Sequence, residues 1–160
     1  MNFKNNKGYV ITDVSISIII LLILIPVIMG MVYKVNTTKR ATESKAEAIN
    51  ILVNTLEAAK GIGVTDLVDS GETTAKKLIF EKIKEDIYKE KISFEENAPE
   101  SATIDTDKGK YLLSLEVVDF ADSDDSPVGV QRNVVKIVKA KIEYRINGKN
   151  EELNISTVLK

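Results

Sequence analysis

Val14 to Tyr33, VSISIIILLILIPVIMGMVY, is a run of 20 residues without a charge, and a single carboxylate, Asp13, stands at its front edge. Coiled as an α-helix at about 1.5 Å per residue, the run is about 30 Å long, which matches the hydrocarbon thickness of a bilayer. Much of the apolar content of the 160-residue chain therefore lies before residue 34, and the remainder has room for one modest domain.

The chain has no Cys and no His. Thiolate nucleophiles, the commonest zinc ligands, Ser-His-Asp triads and disulfides are all removed together, so neither an enzyme nor a bound cofactor is expected. Stability has to come from packing or assembly. With 22 basic and 24 acidic side chains the net charge is -2, so no global field draws the chain to nucleic acid or anionic lipid.

Three readings fit the apolar run. A cleaved secretory signal has a basic start, an apolar core of about 7 to 15 residues and a small-x-small exit. Lys4 and Lys7 supply the start, but the core is longer and MGMVYKVNTT has no such exit. A plain signal anchor fits length and charge and leaves Asp13 unexplained, because an ionised Asp deep in a lone helix costs about 2.5 to 3.5 kcal/mol. Near the interface the cost is smaller, and an Asp13 among headgroups needs no function.

The third reading uses the whole pattern: Lys7-Gly8, bulky Tyr9, apolar Val10 and Ile11, then Asp13 five residues after Gly8, then the long apolar run. This arrangement resembles the prepilin signature of type IV pilins and pseudopilins, a minor pilin in particular. The resemblance implies a leader at 1–8, cleavage between Gly8 and Tyr9 by a membrane-embedded prepilin peptidase, and N-methylation of Tyr9. Asp13 then takes the family's acidic place, with Asp where Glu is usual, and Tyr9 stands where Phe or Met is commoner. In such a fibre a neighbour's new α-ammonium can sit against Asp13, so that a residue costly in the monomer selects axial register. Further implications are a single-pass membrane protein with an extracytoplasmic carboxy-terminal domain, later drawn into a surface pilus. Its partners would be other pilin subunits, through helix 1, and the assembly machinery. The implied fold is α+β: a long amino-terminal helix, membrane-spanning in its first half, packed on a carboxy-terminal antiparallel sheet.

Inside the span, Pro26 removes the backbone bond to the Leu22 carbonyl, with Gly30 one turn later, so a kink or local melting is expected unless the proline is simply tolerated. The helix should run on, 9–33 in lipid or fibre core and 34–60 amphipathic, with Ile49, Leu52, Val53, Leu56 and Ala59 as its buried stripe and Gly61 and Gly63 as its stop. The head, 61–160, begins with a loop at 64–72. A second helix follows at about 73–91, capped by Thr73 or Thr74 and apolar at Ile79, Ile83 and Ile87. NAPES and DTDKGK read as connections, and strands are expected at about 110–120, 133–146 and 149–159. Asn147-Gly148 favours a type I′ turn, which puts Ile142 opposite Leu153, Ala140 opposite Ile155 and Val138 opposite Thr157 on an apolar face. Lys141 then opposes Asn154 and Lys139 opposes Ser156 on the polar one.

Two patches invite a ligand. Asp119, Asp122, Asp124 and Asp125 in DFADSDDSPVG lack the Gly and terminal Glu of an EF-hand, so a solvated acidic loop is favoured over a calcium site and no metal is expected. Lys139, Lys141 and Arg145 form a basic ladder interrupted by Glu143, and a solvated face is favoured over a nucleic-acid surface. The rivals to a pilus subunit are a pseudopilin of a secretion or DNA-uptake machine and, from another class, a single-pass anchored domain that binds a ligand as a monomer.

Overall fold

The computed structural model describes residues 6–63, 66–67, 71–95, 99–120 and 135–159. The elements in chain order are α1 (Asn6–Ile62), α2 (Glu72–Ile83), a π-helical turn (Lys84–Tyr88) and a 3-10 turn (Lys89–Lys91). Five strands follow: β1 (Ile92–Phe94), β2 (Ser101–Thr106), β3 (Gly109–Phe120), β4 (Val135–Ile146) and β5 (Lys149–Leu159). The fold is α+β, a long apolar amino-terminal helix followed by an antiparallel sheet in meander order β1-β2-β3-β4-β5. By contacts the chain divides into two compact units, Met1–Arg40 and Ala41–Lys160.

In the first unit α1 carries Val14 to Tyr33 with every large apolar side chain exposed. Pro26 lies inside the helix, which continues on both sides of it. Thr37 Oγ1 donates to the Lys34 carbonyl at 2.9 Å, marking where the sequence turns polar.

In the second unit the α1 segment from Ala41 and α2 contribute to one core with the inner face of the sheet. The buried residues of that α1 segment are Ala48, Ile51, Leu52, Thr55, Leu56, Ala58 and Ala59. This corrects the expected stripe: Leu52, Leu56 and Ala59 are buried, whereas Ile49 is 45% and Val53 39% exposed. The buried face instead carries small Ala48, Ala58 and Ala59, so it is rotated away from the more hydrophobic pair. Thr55 costs little there because its hydroxyl donates to the Ile51 carbonyl at 2.7 Å.

Helix α1 passes through Gly61 and ends before Gly63, whose φ of +87° suits a left-handed stop. Within the expected loop 64–72, Asp66 and Leu67 are helical and Leu67 is fully buried. Neither threonine caps α2. Gly71 holds the cap position with no side-chain bond, and Thr73 and Thr74 lie in the first turn. The expected helix to residue 91 stays α-helical only to Ile83. Ile79, Phe80 and Ile83 are buried along α2; the wider π turn then shifts the phase, so Ile87 is exposed and Tyr88 takes a core place.

The sheet has five strands where three were expected: β1 falls between the expected second helix and NAPES, where no element was assigned, and β2 overlaps the ends of NAPES and DTDKGK, which read as connections. Both are short, and β2 alternates polar Thr103 and Asp105 with small or single apolar residues, Ala102 and Ile104. The β4–β5 hairpin meets expectation: Asn147 and Gly148 have φ of +50° and +82°, and all five anticipated pairs are present.

Candidate assembly surfaces

Among the described residues no cluster of three or more His, Cys, Asp or Glu is placed to hold a metal. The chemistry-bearing features are surfaces. Gly8 and Tyr9 fall inside α1, and their surroundings lie outside the described residues. Asp13 is exposed on α1, on a face it shares with Ser17 and Leu21 and flanked by Val14, Ile18 and Leu22. It is thus a carboxylate at the margin of an apolar helix surface with no core of its own. Among the described residues one helix is long and apolar enough to cross a membrane, with a mean hydropathy of 2.9 over its apolar window.

A second surface was hidden by hydropathy. Ile49 and Val53 are one turn apart on α1, exposed, and distinct from the face that packs on the sheet. Their side chains are more apolar than the buried Ala48 and Thr55, so a reading by hydrophobicity assigns them to the core. The spacing Ala48, Ile51, Leu52, Thr55, Leu56, Ala59 is the signal that identifies the true buried face.

The two lysines of the basic ladder are compensated. Lys139 Nζ lies 3.3 Å from Glu116, and Lys141 Nζ lies 2.9 Å from both Glu143 and Glu152. Hydrogen bonds to Glu143 and Glu152 raise the Lys141 ammonium pKa; bonds from Lys141, and then from Asn154, lower that of Glu152. The outer face is therefore a network of opposite charges. Lys136, unremarked in the sequence, is buried on the inner face and donates to the Leu67 carbonyl, tying β4 to the segment after α1. Of the acidic stretch, Asp119 belongs to β3, while Asp122, Asp124 and Asp125 lie outside the described residues.

Tyrosines fasten α1 to β3 and to the π-helical turn. Tyr111 donates to the Ser44 carbonyl at 3.2 Å and stacks on Tyr144, ring centroids 5.7 Å apart, while Asn54 Nδ2 donates to Tyr88 Oη at 3.4 Å. Burial pushes the pKa of Tyr88, Tyr111 and Tyr144 up. The chain matches no protein-family model, no curated protein and no solved structure.

Proposed function

We propose that the chain is a type IV pilin-like structural subunit, a minor pilin, processed after Gly8 by a prepilin peptidase and assembled into a surface pilus. The observation that carries this reading is the placement of Asp13: an exposed carboxylate five residues after Gly8, at the head of an apolar helical stretch, Val14 to Tyr33, whose large side chains are all left uncovered. Before assembly a bilayer covers that helix; in a fibre, neighbouring helices do. The α-ammonium made at Tyr9 of one subunit compensates Asp13 of the next, so register is selected by an ion pair formed only in the correct stagger. Ile49 and Val53 extend the surface offered to neighbours beyond the span.

Mass spectrometry of the mature amino terminus tests the reading. A chain beginning at methylated Tyr9 is expected; intact Met1 would leave a single-pass anchored binding domain as the better account. Immunogold labelling along extended fibres, as against patches at the envelope, then separates a pilus subunit from a pseudopilin.

A further inference from the structure

Among the described residues β5 has a strand neighbour on one side only, and it is a long edge of 11 residues. Edge strands are usually kept from pairing by shortness, proline, a bulge or central lysines. The opposite edge, β1, is three residues long. In contrast β5 has no proline, its register with β4 runs without a bulge from Lys149 to Leu159, and its only lysine is the first residue. From Asn154 to Leu159 it bears no charge, and Glu152 is already compensated by Lys141. Beside this edge the sheet offers uncovered apolar surface: Ile155 on the inner face is 38% exposed and Val158 on the outer face 53%.

The residues also specify what fits. A two-residue hairpin is closed by a pair that exchanges both backbone bonds, here Ile146 and Lys149. Odd-numbered residues of β5 therefore bond to β4, and Asn150, Glu152, Asn154, Ser156 and Val158 turn their N–H and C=O groups to the open edge. An antiparallel copy of β5 centred on Asn154 uses all 11 residues. It sets Glu152 against Ser156, Glu151 against Thr157 and Lys149 against Leu159, so no like charges are opposed. Leu153 meets Ile155 twice, in the closer non-bonded pairs where side chains touch. Centring on Glu151 or Glu152 would oppose identical carboxylates, and any other centre shortens the overlap.

We infer that β5 is a self-complementary pairing edge through which two copies of this chain join into one continuous ten-stranded sheet, with the two-fold axis at Asn154. The axis is normal to the sheet, so both α1 segments from Ala41 stay on one face and run in opposite directions.

The test uses the full-length chain in detergent micelles. The absence of Cys makes single-cysteine variants clean. Asn154→Cys is expected to oxidise to a disulfide-linked dimer, since paired residues across such a ladder stand about 5.5 Å apart, within disulfide reach. Glu116→Cys, on β3 away from the edge, is expected to stay monomeric. Ser156→Pro removes an edge donor and leaves the bonds to β4 intact, so it should weaken dimerisation at least tenfold by light scattering with an unchanged circular-dichroism melt. As a second probe, Asn154→Lys opposes two ammonium groups at the axis and should do the same. A monomeric wild type, equal cross-linking of Glu116→Cys, or undiminished dimers of folded Ser156→Pro would each overturn the inference. The last would assign association to α1. Processing at Gly8 is scored separately, so loss of the dimer with a Tyr9 terminus present removes this inference alone.

Discussion

At the scale of single residues, the position of a charge decides more than its presence. Asp13 and Glu43 are both carboxylates on α1, yet Glu43 has a partner in its own chain, Lys108 Nζ at 3.4 Å, whereas Asp13 lies on a helix surface that this chain leaves open. We predict that Asp13→Ala leaves membrane insertion unchanged and lowers incorporation into fibres at least tenfold, measured by immunoblot of sheared fibres against membranes; equal incorporation would rule out the register role. Tyr111 gives a prediction in pH. Burial, aided by the nearby Glu47 carboxylate, holds its phenol protonated against the opposing pull of its bond with Ser44, while an unfolded tyrosine ionises near pH 10. A raised folded pKa means stability that is full below pH 10 and falls as pH climbs through it toward the folded value. Thermal melts from pH 8 to 11 should show this decline. Tyr111→Phe should cost about 1 kcal/mol at neutral pH through the lost bond and make the alkaline decline shallower.

At the scale of elements, α1 is divided by what covers it. Ile51 faces the sheet and Ile49 does not, so Ile51→Ala should cost about 2 to 5 kcal/mol and Ile49→Ala no more than about 0.5, by urea denaturation. The reverse ranking would restore the stripe expected from hydropathy. The join between α2 and β1 holds a strained residue: Lys89 has φ of +34° and ψ of -102°, which L side chains rarely adopt. Lys89→Gly should therefore stabilise by about 1 kcal/mol, against the usual direction for glycine.

At the scale of the whole molecule, the core begins at Ala48 and every member of it belongs to the second unit. A fragment starting at Lys34 should accordingly unfold cooperatively, with a melting temperature within a few degrees of the full chain in detergent; a non-cooperative melt would show that the span is needed for folding. The sequence by itself determined the apolar span, the Gly8 to Asp13 spacing and the β4–β5 register, because each rests on local order: helix length, motif spacing, and a turn whose two residues require positive φ. Tertiary structure decided which α1 face is buried, since a place on the core-facing side, taken by Ala48 and Thr55, outweighs the greater hydrophobicity of Ile49 and Val53. It also decided that weakly patterned SATIDT is a strand, because β2 is held by pairing with β3 across six positions rather than by its own propensity. The open edge of β5 belongs to the same class: strand order, which no short stretch encodes, leaves its outward N–H and C=O groups without a neighbouring strand among the described residues.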